Sequence, residues 1–322
     1  MSDQRIQIRG TTFPVIDRFR VGGRLYLAVA RIGSAGRQAY KVYDPSARTM
    51  RALHVLPYSD ATIQRISTLQ RLTRGDNEIL QIIEYRREGE KVMVVLPWID
   101  GFDLRKVLVG IRDHNRQRIA APEAVRLMKG VAHTLHHLHR RKQIIHGDIK
   151  PANLVLTQRT SLVLIDYGNA WTVERTMMRG QGDGVSQIYA APEVVRGEQR
   201  VNFRVDIFAV GVVLYELLSS TIPYDGLGGK IGDLPPSARA GLSLVPVSKI
   251  SPEMGKLSKR IWRPIDELLE NSLAIDPDDR FDTSSDWLEA WSTIMNELRR
   301  TKARSGNIHW ATRLLNWARN QN

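Results

Sequence analysis

Cysteine is absent from the 322 residues. That excludes disulfides, thiolate zinc sites and a cysteine nucleophile, and it suits a reducing compartment. Long hydrophobic runs are missing too. The longest, DIFAVGVVLYELL over 206–218, carries Asp206 and Glu216 and is too short to span a bilayer. The first residues, MSDQRIQIRGTTFPVID, lack the apolar core of a signal peptide. A soluble, cytoplasmic protein is the expectation. Acidic residues are in deficit, 34 against 47 basic ones, and 36 of the basic residues are arginine. The resulting charge of +13 attracts phosphates and acidic partners. Because the basic residues are spread along the chain, no specific nucleic-acid surface is expected. Apolar residues, at 42 %, supply material for a core.

Residue periodicity divides the chain in two. Residues 11–43 read as strands interrupted by the turn GSAGR. From Ser59 or Asp60 the pattern becomes helical, with Ile63, Ile66, Leu69 and Leu72 at helical spacing and Gly75 as the stop. Residues 78–98 read as two strands about a turn at Gly89. Helices are expected over 103–112, 122–141, 206–219, 262–274 and 283–300. The fold class is therefore α+β, with a β-rich small lobe over 11–99, a mainly helical large lobe over 100–300, and a cleft between them. Residues 225–260, rich in Gly, Pro and Ser, read as an irregular loop or surface insertion. In the basic amphipathic tail, 301–322, Trp310, Leu314 and Trp317 share one helical face. Docking on the chain's own domain is expected for it, with partner binding as the alternative.

Chemistry concentrates in IIHGDIKPANLVLT, 144–157. Phosphoryl transfer needs positioning and charge neutralisation more than covalent help. One carboxylate must orient the attacking hydroxyl, oxygen ligands must hold magnesium on the phosphates, and a lysine can steady the moving group. Asp148, Lys150 and Asn153 offer that set on one loop. A second carboxylate, Asp166, follows the apolar run of LVLIDYGNA, 162–170. His133 and His137 lie one helical turn apart, a spacing that can bind zinc, but no third ligand accompanies them.

Five motifs in order resemble the eukaryotic-like (Hanks-type) serine/threonine protein kinases. HGDIKPAN is similar to the catalytic loop H-R-D-x-K-P-x-N, and DYG to D-F-G. SQIYAAPE (186–193), VDIFAVGVVLYELL and DPDDRF (276–281) resemble the end of the activation segment, the central helix and the late arginine motif. The resemblance runs from about 11 to 298 and implies a bilobal kinase fold using ATP and Mg2+. It implies Asp148 as catalytic base, Lys150 on the γ-phosphate, Ser186 bonded to both, and Asn153 and Asp166 as metal ligands. Lys41 would hold the α- and β-phosphates under a loop represented by Gly23. Leu25, Ala39 and Val155 would sandwich adenine, the hinge would follow Leu96 as Pro97-Trp98-Ile99, and Asp103 would meet the ribose. Glu193 and Arg280 would form a buried ion pair, and Asp206 would brace the catalytic loop.

The implied partner is a protein substrate with a Ser or Thr acceptor, with a regulatory protein at the small-lobe helix or the tail. Departures are specific. Arg65 stands where the helix should carry a Glu for Lys41, and no acidic residue lies between Asp60 and Asp76. Arg18 and Arg20 fall near the missing loop glycines. Gly147 replaces the arginine that reads activation-loop phosphorylation. These leave a nucleotide-binding pseudokinase scaffold as the alternative. H-G-D also brings in small-molecule kinases, which lack the A-P-E segment.

Overall fold

The computed structural model describes residues 4–32, 38–113, 118–172, 187–198 and 201–300. The chain divides after Ile99 into two compact units. Pairing in the first unit starts before residue 11, with a hairpin of β1 (Arg5–Ile8) and β2 (Thr11–Pro14). Six further strands follow: β3 (Asp17–Val21), β4 (Arg24–Ile32), β5 (Gln38–Asp44), β6 (Thr49–Pro57), β7 (Glu84–Glu88) and β8 (Lys91–Pro97). They make one antiparallel sheet in the order β3-β4-β5-β6-β8-β7.

Both faces of this sheet are covered. Val21, Tyr26, Val42, Leu53 and Val95 are fully buried on one. The sheet curls around them, so that the Tyr26 hydroxyl on β4 donates to Glu84 on β7. The other face carries Ala52, Val92, Val94 and Leu96, and α1 (Asp60–Thr73) lays Ile63 and Ile66 on it. Sealing Ile66 stabilises this contact by about 1.5–3 kcal/mol. Ser59 caps α1, accepting from the Thr62 N–H at 3.1 Å, and Gly75 follows the helix at φ +75°. β6 falls in residues for which the sequence suggested no element. It leads into α1 after only Tyr58 and Ser59.

The second unit begins with β9 (Gly101–Asp103), α2 (Leu104–Arg112) and α3 (Ala121–His137), which passes into a π-turn at Leu138–Lys142. Short strands β10 (Ile144–Ile145), β11 (Leu154–Thr157), β12 (Leu162–Leu164) and β13 (Trp171–Thr172) follow. They pair as β12-β11-β9 and β10-β13. Then come α4 (Pro192–Val195), α5 (Arg204–Ser219), α6 (Pro236–Ala240), α7 (Val247–Ile250), α8 (Lys259–Leu273) and α9 (Ser284–Arg300). α5 is apolar almost all round and buried from Val205 to Ser219, with α3 and α8 packed on it.

Residues 225–260 are not a loose insertion. Gly229 donates to the Ile188 carbonyl at 2.8 Å, and a Cβ there or at Gly232 would collide with the carbonyls of Ala190 or Pro192. Backbone therefore lies on backbone beneath 188–192. Among the described residues, no helix is long and apolar enough to cross a membrane. The tail from 301 and the segment 173–186 lie outside the described residues.

Candidate active site

His146 to Asn153 connect β10 to β11, and Asp206 in the first turn of α5 organises them. Its Oδ2 accepts from the His146 N–H and its Oδ1 from the Gly147 N–H, each at 2.8 Å. Oδ2 also accepts from His139 Nε2 at 2.9 Å. Burial pushes the Asp206 carboxyl up, but these donors outweigh it and hold the group below the usual carboxylate range. His146 is fully buried, and that burial holds its imidazole below the ordinary value. The loop is pinned to a rigid, buried helix.

Within the loop, Asp148 is 4 % exposed. Lys150 Nζ donates to its two carboxylate oxygens at 2.7 and 2.8 Å. Asn153 Nδ2 donates to the Asp148 carbonyl at 2.8 Å and to its Oδ2 at 3.1 Å. Those bonds occupy the amide nitrogen, so Oδ1 is the atom Asn153 can offer a cation. The Ile165 N–H donates to the Asn153 carbonyl at 2.9 Å, which ties Asp166 beside it. Asp166 sits at φ +65°, a left-handed conformation costing on the order of 1 kcal/mol. Its Oδ1 accepts from the Gly168 N–H at 3.2 Å. An amide oxygen and a carboxylate on adjoining loops are hard donors that fit magnesium, which takes its remaining ligands from phosphates and water. Among the described residues no group of three or more His, Asp or Glu could hold a metal.

Asp103 and Val155 are cross-strand partners. Asp103 also caps α2, accepting from the Lys106 N–H at 2.9 Å. Gly147 has φ +70°, and a Cβ there would collide with the Trp171 ring, which β13 places beside it. The indole fills the space that a larger residue would need. Glu193 and Arg280 form a bidentate pair at 2.8 and 2.9 Å, with side chains 2 % and 0 % exposed. Ser186, Thr176, Arg175 and Arg179 lie outside the described residues.

In the first unit the register redraws the expected nucleotide-binding set. Ala39 is opposite Ile32 on β4 and His54 on β6. Leu25 is opposite Arg20 on β3. It lies about six residues, roughly 20 Å, along the sheet from Ala39. Leu25 and Ala39 therefore do not meet, and Gly23, in the β3–β4 turn, is equally remote. Ile32, Ala52, Leu96 and Trp98 share an apolar cluster instead, on the face that Ala39 also occupies through its partner Ile32. Ile99, next to Trp98, is half-buried.

Lys41 lies on β5, opposite Ala52. Its ammonium is 4.6 Å from the Trp98 ring centroid and 5.9 Å from that of Phe13. Among the described residues it meets aromatic rings rather than a carboxylate. Arg65 is half-buried on α1. His54, which the sequence reading passed over, stands on β6.

A family model for the protein kinase domain matches residues 31–291. The serine/threonine-protein kinase PrkC of Bacillus subtilis is 23 % identical over 209 residues, 65 % of this chain and 30 % of its own length. The serine/threonine-protein kinase PknB of Mycolicibacterium smegmatis is 28 % identical over 206 residues, 62 % of this chain and 29 % of its own. Aurora kinase B of Mus musculus is 30 % identical over 147 residues, 46 % of this chain and 40 % of its own. The chain thus spans less than a third of the length of the bacterial relatives it matches. With the family model covering most of its residues, the chain belongs to the protein kinase family.

Proposed function

We propose that the chain transfers the γ-phosphoryl group of ATP to Ser or Thr hydroxyls of proteins, its own included, in the cytoplasm. The observation that carries this reading is the loop in which Lys150 and Asn153 converge on Asp148 while Asp206 fixes the backbone. Asp148 orients the acceptor hydroxyl and takes its proton as the oxygen bonds to phosphorus. The bond from that phosphorus to the β–γ bridging oxygen breaks, and ADP leaves. Lys150 turns from Asp148 to the transferring phosphoryl oxygens. Asn153 Oδ1 and Asp166 would hold magnesium, which would supply charge neutralisation to the phosphate oxygens. Ile32, Ala39, Ala52 and Leu96 of the first unit offer an apolar surface for adenine.

The test is incorporation of radiolabel from ATP. Asp148→Ala and Asp166→Ala should each lower the rate by about a hundredfold or more, roughly 3 kcal/mol. Undiminished incorporation in Asp166→Ala would refute the assignment. A second reading, a nucleotide-binding scaffold without transfer, draws on Arg65 and the lack of any carboxylate in α1 after Asp60. Wild-type protein that is thermally stabilised by magnesium-ATP but incorporates no label would decide for it. A small-molecule acceptor is disfavoured by the Glu193–Arg280 pair, which anchors a segment such kinases lack.

A further inference from the structure

We infer that His54 occupies the position from which a strand lysine ordinarily anchors the nucleotide's α- and β-phosphates, so that an imidazole performs that task here. This rests on the kinase reading above. In protein kinases the lysine belongs to the third strand of the small lobe and pairs with a carboxylate on the helix. Three observations identify that strand as β6. It leads directly into α1. It lies between β5 and β8 in the sheet. The family match begins at Arg31, near the end of β4, which makes β4, β5 and β6 the first three strands of the matched region. Ala52-Leu53-His54 then reads against the A-I-K of V-A-I-K. Lys41 is one strand too early.

The side chains agree with that count. His54 lies between Ala39 and Val94, on the face where Ala52, Leu56, Val94 and Leu96 pack with Ile66 of α1. His54 sits level with Ala39, whose own partner on β4 is Ile32. Lys41 goes the other way. Its ammonium rests on Trp98, about four residues, roughly 13 Å, along the β8 line from Val94. A protonated imidazole can donate a charge-assisted hydrogen bond to a phosphate oxygen, as an ammonium does.

Affinities for magnesium-ATP, magnesium-ADP and adenosine, measured by calorimetry on the full chain, test this. His54→Ala should weaken ATP and ADP by about tenfold or more and leave adenosine within twofold, because only phosphate contacts are lost. His54→Lys should restore phosphate affinity to the wild-type level or above. Lys41→Met should cost ATP less than threefold. His54→Gln, which keeps the volume without the charge, carries the test if the alanine variant does not fold; it should also lose phosphate affinity. Equal loss for all three ligands would make His54 a packing residue and overturn the inference. So would a tenfold loss in Lys41→Met with His54→Ala unchanged. Either result alongside normal phosphoryl transfer leaves the kinase reading standing, whereas a wild-type chain that binds no magnesium-ATP ends both.

Discussion

Gly147 is where the catalytic loop departs most visibly from its family, and its surroundings set a measurable cost for reversing the change. Any side chain at φ +70° faces left-handed strain of about 1–2 kcal/mol. A Cβ would also enter the Trp171 ring, and overpacking of that kind costs about 1–3 kcal/mol. Gly147→Ala should therefore destabilise the protein by about 2–5 kcal/mol in denaturant unfolding. The two contributions can be separated. Trp171→Ala in the Gly147→Ala background removes the collision but leaves the backbone strain, so the double-mutant cycle should show a favourable coupling of about 1–3 kcal/mol. Additive effects, with coupling below about 0.5 kcal/mol, would refute the claim that the indole excludes a side chain here. The same geometry bears on regulation. Gly147→Arg should not create a working phosphate receptor while Trp171 is present. Phosphatase treatment should accordingly leave activity intact in the wild-type protein, and a collapse would mean that another basic group reads the phosphate.

Three further outcomes follow from contacts elsewhere. Glu193→Gln should destabilise by about 3–5 kcal/mol because it strands a buried Arg280, and Glu193→Leu/Arg280→Met should lie closer to wild type in the same unfolding assay. Gly229→Ala should displace 188–192 from its seat and lower thermal stability; if peptide phosphorylation depends on that seat, peptide KM should rise more than kcat falls. Stability should decline on acidification in two stages. His146, neutral in the fold below its ordinary value near 6.5, opposes folding once the unfolded chain binds the proton, so stability falls as pH drops below about 6.5. Asp206, depressed in the fold, contributes stability that is present above its unfolded value and lost as pH falls through its lower folded value. Melting temperature against pH checks both; a flat profile from pH 8 to pH 5 would contradict the His146 assignment.

The second unit's chemistry was legible because it is local in the chain. Asp148, Lys150 and Asn153 lie within six positions, and their mutual bonds need only one turn of loop. Asp206 and the Glu193–Arg280 pair are distant in sequence and could be placed only through the family's motif order. The first unit was harder to read for a physical reason. A half-buried strand announces itself by clean alternation, but both faces of this sheet are covered, and β6 carries Arg51 and His54 among its apolar residues. Neither face looks purely apolar, so the strand left no periodic signature. On the reading argued above, Lys41 satisfied the search for a strand lysine one strand early, and Gly22-Gly23 supplied a plausible turn in front of it. The register shows what the pattern could not. Seventeen residues separate Lys41 from Ser59, enough for the turn and the whole of β6. Gly23, in the β3–β4 turn, and Leu25, at the start of β4, both precede Arg31, where the family match begins.

The two units therefore differ in how closely they follow the family, and the difference has a direction. Asp148, Lys150, Asn153 and Asp166, the groups proposed to act on the reacting atoms, are present, and Asp148, Lys150 and Asn153 are held by one another on a loop that a buried helix pins. The group that should grip the α- and β-phosphates is, on the reading argued above, an imidazole, and α1 offers Arg65 where a carboxylate would support it. An α- or β-phosphate contact is made almost equally in the bound substrate and in the transition state, because those phosphates stay put while the γ-phosphoryl group moves. Weakening such uniform binding raises KM for ATP and leaves kcat nearly unchanged, with no loss of rate wherever ATP exceeds KM. His54→Ala should accordingly act on KM, and Asp148→Ala on kcat. Steady-state kinetics in which His54→Ala lowered kcat as strongly as Asp148→Ala at saturating ATP would show that the imidazole works on the reacting phosphate rather than on the two that remain behind.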